Sequence, residues 1–228
     1  MNSTGRFWFV TGTDTGVGKT FVAAGLLAVA RSRGLSTLGL KPVAAGCEER
    51  DGQWGNEDAW ALQQHSSVKP AYTTVNPVAL REPMAPHIAA EREGRALALA
   101  ALATHCRSQF GTAEFGVVEG AGGWLVPLNA DHTLADLAQQ LGCDVVLVVG
   151  MRLGCINHAL LTAAAIRAAG LRLAGWVANH IDPEMAVQDE NVAALAERLD
   201  APLLGRVPYQ PGSGHAAAAH LDIRALTG

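Results

Sequence analysis

The sequence carries no excess of positive charge. Its 17 lysines and arginines are outweighed by 21 aspartates and glutamates, for a formal net charge of −4. A nucleic-acid backbone or an anionic bilayer therefore meets no basic field, and neither is expected as a partner. Long apolar runs are also missing. The run at 7–10 is too short for a signal-peptide core, and the one at 145–149 reads as a buried strand, far below the length of a membrane-spanning helix. Four scattered cysteines, Cys47, Cys106, Cys143 and Cys155, form no C-x-x-C pair. That excludes a recognisable disulfide framework or zinc site and fits a reduced, cytoplasmic setting. Aromatic residues make up only 5%, with no stripe on which bases could stack. Among eight histidines, His215 and His220 are five apart, which does not put them on one helical face.

What the sequence does contain is core material. Of its 228 residues 49% are hydrophobic and 17% charged, enough to fold as one α/β domain spanning 1–228. Segments rich in β-branched and apolar residues recur at 7–10, 37–42, 115–119, 144–149, 173–179 and 203–207. Alanine-rich amphipathic stretches lie between or after them at 21–33, 96–109, 134–141, 157–169 and 184–199, with Gly34 and Gly170 as helix stops. This alternation predicts βαβ units in a doubly wound, mostly parallel sheet flanked by helices. Residues 47–86 are the least regular, around one short helix at 57–64. In such sheets ligands bind beyond the carboxyl ends of the strands, so the chemistry is sought in the loops there.

Directly after the first strand comes Gly12-Thr13-Asp14-Thr15-Gly16-Val17-Gly18-Lys19-Thr20, then a helix. This is the context of a P-loop: backbone N–H groups at a helix start cradle phosphates, Lys19 reaches the β/γ oxygens, and the Thr20 hydroxyl can ligate Mg²⁺. The usual first glycine is replaced by Thr13, with Gly12 one residue earlier, which lengthens the spacing to G-x₅-G-K-T. A triphosphate-bound Mg²⁺ needs further oxygen ligands. Glu119 ends a strand and opens Gly120-Ala121-Gly122-Gly123, where missing side chains allow close backbone approach; Asp58 stands at a helix start. Lys41, at the end of the second strand, is costly to desolvate unless an anion meets it. Asn179 ends another strand and has the amide geometry that reads an adenine edge, although a turn role is equally compatible.

Several blocks together resemble the dethiobiotin synthetase family over nearly the full length: the loop from Phe9 to Thr20, Lys41-Pro42-Val43, Thr74-Val75-Asn76-Pro77, Val118 to Trp124, Leu153 to His158, and Gly175 to Asn179. The resemblance implies an ATP- and Mg²⁺-dependent ligase of biotin biosynthesis that joins CO₂ to 7,8-diaminononanoate through a carbamate and a carbamic–phosphoric anhydride. By matching position, Lys19 and Lys41 are the catalytic cations. Thr20, Asp58 and Glu119 surround the metal. Thr13 to Thr20, Gly120, Ala121 and Gly122 hold the nucleotide phosphates, and Asn179, His180, Pro208, Tyr209 and Gln210 hold the base. Lys41, Ala45 and the segment Gly154, Cys155, Ile156, Asn157 meet the substrate, the last of these across a homodimer interface. The family usually has Ser at the position of Ala45, so that hydroxyl contact is lost or passes to water or to the backbone of residues 44–46. A septum- or partition-type P-loop switch ATPase is the alternative. Such proteins carry a lysine where this chain has Asp14, and an amidation enzyme would need an appended glutaminase domain of about 150 residues, for which the chain has no room.

Overall fold

The protein is described by a computed structural model covering residues 5–209 and 214–228. In chain order the elements are β1 (Arg6–Gly12), α1 (Lys19–Ser32), β2 (Thr37–Leu40), β3 (Val43–Ala45), β4 (Glu48–Arg50), β5 (Gln53–Gly55), α2 (Glu57–His65), α3 (Tyr72–Val75), β6 (Val78–Leu80) and α4 (Pro86–Arg92). They continue as α5 (Leu99–Gln109), β7 (Phe115–Glu119), α6 (Leu134–Leu141), β8 (Asp144–Met151), α7 (Cys155–Ala168), β9 (Leu173–His180), α8 (Gln188–Arg198), β10 (Leu203–Val207), α9 (Gly214–Ala218) and α10 (Arg224–Thr227).

Six strands form the central sheet in the order β10-β9-β8-β1-β7-β2, with every pairing parallel. Parallel strands covered on both faces need continuous rather than alternating apolarity. β7, with the sequence FGVVE, is buried throughout, and β8, DVVLVVGM, is buried from its second residue onward. One face packs against α5, α6, α7 and α8 through Leu102, Leu137, Ala163 and Leu195; the other packs against α1, α2, α9 and α10 through Leu26, Leu62, Ala217 and Leu226. Helix α6 is fixed at its start by a reciprocal capping box, in which Thr133 N–H donates to Asp136 at 2.6 Å.

From β1 the chain crosses toward β2 on one side, whereas from β8 it proceeds to β9 on the other. The crevice between β1 and β8 is thus the switch point at which open α/β sheets bind ligands, and the glycine-rich loop leaves β1 there.

Three details differ from the sequence expectation. β2 ends at Leu40, so Lys41 and Pro42 lie past the strand, where the chain leaves the sheet to pair β3 with β6. Helix α8 begins at Gln188 rather than 184, because residues 181–187 form turns around Pro183. The irregular region holds real but small elements, including the β4–β5 hairpin, whose pairs are too short to announce themselves by periodicity.

Candidate active site

The phosphate loop is built by its own side chains. Thr13 N–H donates to Val148 O at 3.0 Å, which ties the loop to β8. Asp14 Oδ1 accepts from Thr15 N–H at 2.7 Å, and its other oxygen pairs with Arg152 beyond β8. Val17 is buried in the core. Gly16 and Gly18 take φ of 73° and 83°, and a Cβ on Gly18 would fall 2.2 Å from Asn179 Nδ2. Only glycine supplies that conformation and that clearance together. Thr13, Asp14 and Val17 therefore shape the loop, while Thr15, Gly16, Gly18, Lys19 and Thr20 line a cavity of about 740 Å³.

Lys41, Asp58, Glu119, Ala121 and Gly122 line the same cavity. The two lysines named from sequence thus share one chamber, and only one further lysine, Lys69, occurs in the chain. Glu119 arrives at the end of β7. Asp58 arrives in the first turn of α2, where the Asn56 side chain accepts its N–H at 3.0 Å. Lys41 Nζ donates to Glu119 Oε1 at 2.6 Å, to Asp58 Oδ2 at 2.8 Å and to Gly120 O at 3.2 Å. Thr20 Oγ1 donates to the same Glu119 oxygen at 2.8 Å.

Lys41 and Glu119 are both fully enclosed, with side chains 3% and 0% exposed. Burial works against the Lys41 ammonium, but Glu119 and Asp58 outweigh it and hold its pKa above the ordinary lysine value. Burial likewise opposes the Asp58 carboxylate, which Lys41, Thr20 and Lys19 nevertheless keep below the usual range. Lys19 has no carboxylate in contact among the described residues. Its Nζ donates to Asp14 O at 3.0 Å, and burial together with the nearby Lys41 charge depresses it to about 8. Glu119 Oε2 is buried with no hydrogen-bond partner among the described residues. A buried carboxylate oxygen without a donor is what a cation would satisfy, and a hydroxyl with two carboxylates is a hard-oxygen set suited to Mg²⁺.

The lining also includes the apolar residues Ala44, Ala45, Met84, Ala85 and Val126. Ala45 offers no hydroxyl, and its carbonyl accepts from Asn56 Nδ2 at 3.3 Å. Asn179 is buried and donates to Val17 O at 2.8 Å, which engages one amide hydrogen with the loop and leaves Oδ1 without a hydrogen-bond donor among the described residues. His180, Pro208 and Tyr209 line a second cavity of about 480 Å³ together with Arg206 and His220. Gln210 lies outside the described residues.

Gly154, with φ of 93°, turns the chain into α7, which begins at Cys155. Gly154, Cys155, Ile156 and Asn157 line neither of these cavities. Sequence reasoning missed Asn56, Met84 and Arg152. Asn56 was legible as an N-cap before Asp58; the other two meet the site only through loops distant in sequence.

Fold and loop together define a P-loop nucleoside-triphosphate-binding protein. A family profile described as an AAA domain matches residues 6–217. Among solved structures, the septum site-determining protein MinD of Pyrococcus horikoshii, complexed with Mg-ADP, is similar with a TM-score of 0.55 and 19% identity, over 93% of this chain and 92% of that one. A chain of the MinC:MinD cell division protein complex of Aquifex aeolicus also gives 0.55, at 14% identity, over 96% of this chain and 87% of that chain. At those identities the likeness is one of fold alone. Sequence relatives are far nearer. The ATP-dependent dethiobiotin synthetase BioD of Cellvibrio japonicus is 60% identical over 97% of each chain, and that of Pseudomonas paraeruginosa is 56% identical over 96% of this chain and 97% of its own. The chain belongs to the ATP-dependent dethiobiotin synthetase family.

Proposed function

We propose that this protein carboxylates 7,8-diaminononanoate with CO₂ and closes the cyclic urea of dethiobiotin at the expense of ATP; the names of its relatives support ATP-dependent dethiobiotin synthesis. The observation that carries the residue assignments is the convergence of Lys19 and Lys41 on one cavity with Thr20, Asp58 and Glu119. One substrate amine attacks CO₂ and loses a proton to become a carbamate. A carbamate oxygen attacks the γ-phosphorus, releasing ADP and leaving a carbamic–phosphoric anhydride. The second amine then attacks the carbonyl carbon, expels phosphate and closes the ring. Each step gathers or moves negative charge, so preorganised cations and alignment supply the rate. Lys41 neutralises the carbamate, and Lys19 follows the phosphoryl group. Thr20, Asp58 and Glu119 hold Mg²⁺, which when bound offsets charge on the nucleotide phosphates.

The apolar lining from Ala44 to Val126 suits the aliphatic chain of the diamine, and the cavity at His180 and Tyr209 suits the base. Asn179 Oδ1 adds an acceptor for an exocyclic amine. A homodimer is part of this reading. Leu153 beside the Gly154 turn is 95% exposed and Leu161 further along α7 is 63% exposed, a surface that a second copy covers as it brings a substrate carboxylate to the backbone N–H groups of the turn. No helix among the described residues is long and apolar enough to cross a membrane. The site of action is taken to be the cytoplasm, where ATP is available.

Purified protein given the diamine, bicarbonate, ATP and Mg²⁺ is expected to form a cyclic urea and ADP in equal amounts, read by mass spectrometry and coupled ADP detection. ADP formed only when DNA or a protein partner is added would instead support the switch ATPase.

A further inference from the structure

One oxygen of each carboxylate assigned to the metal is already occupied by a cation of the chain itself. Lys41 Nζ meets Glu119 Oε1 at 2.6 Å, Asp58 Oδ2 at 2.8 Å and Gly120 O at 3.2 Å, so all three ammonium hydrogens have acceptors. Mg²⁺ draws oxygens in to about 2.0–2.1 Å, and a carboxylate cannot close on it while bonded to an ammonium on the same side. Two cations held a few ångströms apart in a buried, low-dielectric setting repel strongly.

We infer that Lys41 is a built-in substitute for the divalent cation: the metal binds Asp58 and Glu119 only by exchanging with the Lys41 ammonium, and the exchange delivers that ammonium to the substrate side of the cavity. This rests on the metal assignment proposed above. Lys41 pairs with both carboxylates before the metal arrives and offsets the charge on Glu119, which would otherwise be buried and uncompensated. Afterwards the same side chain is freed to meet an anion. The exchange also sets an order: metal and nucleotide load first, and Lys41 engages the carbamate only then. Lys19 takes no part, because its Nζ rests on the Asp14 carbonyl and touches neither carboxylate.

The rival arrangement leaves Lys41 on Glu119 Oε1 and puts the metal on the unpartnered Oε2. The two differ in what happens to Lys41. The chain has only three lysines, and Lys69 is exposed, so ¹⁵N-lysine labelling gives a spectrum in which a slowly exchanging, doubly ion-paired ammonium is distinct. Titrating the nucleotide-free protein and its ADP complex with Mg²⁺ is expected to abolish that signal. Its persistence at metal saturation overturns the exchange. In parallel, Mn²⁺ counted by electron paramagnetic resonance is expected to bind nucleotide-free Lys41→Met at least tenfold more tightly than wild type, and Lys41→Arg, which keeps a cation, no more tightly than wild type. Equal affinity for Lys41→Met and wild type also overturns the proposal. Should Lys41→Met fail to fold, the wild-type spectrum and Lys41→Arg still decide. If Mn²⁺ bound with ADP survives undiminished in Asp58→Asn, it is the metal assignment that fails; if it is lost there while the Lys41 signal persists, only the exchange fails.

Discussion

Lys41 is buried at 2% exposure and bonded to two carboxylates, so replacing it removes a structural charge along with the proposed functional one. Lys41→Gln is expected to keep nucleotide affinity and lower turnover about 10²–10³-fold, as loss of a single preorganised donor does. It is also expected to lower unfolding free energy by about 3–5 kcal/mol, since breaking a buried pair strands its partner; equilibrium binding, steady-state turnover and denaturant unfolding measure the three effects. Lys19 behaves differently, because burial depresses it from 10.5 to about 8. Between those pH values the unfolded chain binds more protons than the folded one, so this group's contribution to stability rises with pH across that window and is least favourable below it. A bound triphosphate favours the ammonium, and nucleotide affinity is therefore expected to fall above pH 8, with proton uptake on binding in calorimetry across buffers of different ionisation enthalpy. At this scale the sequence named Lys19, Lys41 and Glu119 from their places at strand and loop ends. It could not show that Lys41 bonds both Asp58 and Glu119, which are 17 and 78 residues away.

The glycine-rich loop is the element proposed to bind nucleotide, and its shape depends on β8 and β9 as well as on its own residues. Asn179 at the end of β9 fixes the Val17 carbonyl, and Gly18 must pass close beneath that amide with φ of 83°. Gly18→Ala combines a left-handed alanine, costing about 1–2 kcal/mol, with a Cβ 2.2 Å from a nitrogen that is itself held in place. Nucleotide affinity is expected to fall more than tenfold while the sheet remains folded, as titration with a fluorescent nucleotide and far-ultraviolet circular dichroism would show. The glycines were legible as a phosphate loop from their place between a strand and a helix beside Gly18-Lys19-Thr20, despite the lengthened spacing. The Asn179 latch was not, and the role first read for that amide, the adenine edge, now shares the side chain with a loop-holding bond. Helix α2 makes the complementary case: an acidic first turn is ordinarily dipole compensation, and only its packing against β2 and α1 turns Asp58 into a cavity wall.

For the whole molecule, the expected dimer gives a test that the isolated site does not. Leu161→Asp, on an exposed surface of α7, is expected to shift the protein toward monomer in sedimentation velocity and to raise KM for the diamine while leaving KM for ATP unchanged. An unaltered oligomer would remove α7 from the interface. Parallel pairing in a helix-covered sheet follows from alternating apolar strands and amphipathic helices, readable because burial on both faces imposes uninterrupted apolar runs such as 145–149, whereas strand order and the switch point came from the structure. The phosphate loop was likewise written locally, since backbone cradling needs glycine at fixed positions whatever the surroundings. What the sequence by itself determined is therefore the class of fold, the loop and the identity of the charged residues. Only the tertiary structure decided which charges neutralise one another, that β2 stops before Lys41, and that His65 and His215, 150 residues apart, come within 3.0 Å. Local patterns record what each segment must bury, but electrostatic partners are chosen by proximity across the sheet, where sequence separation carries no information.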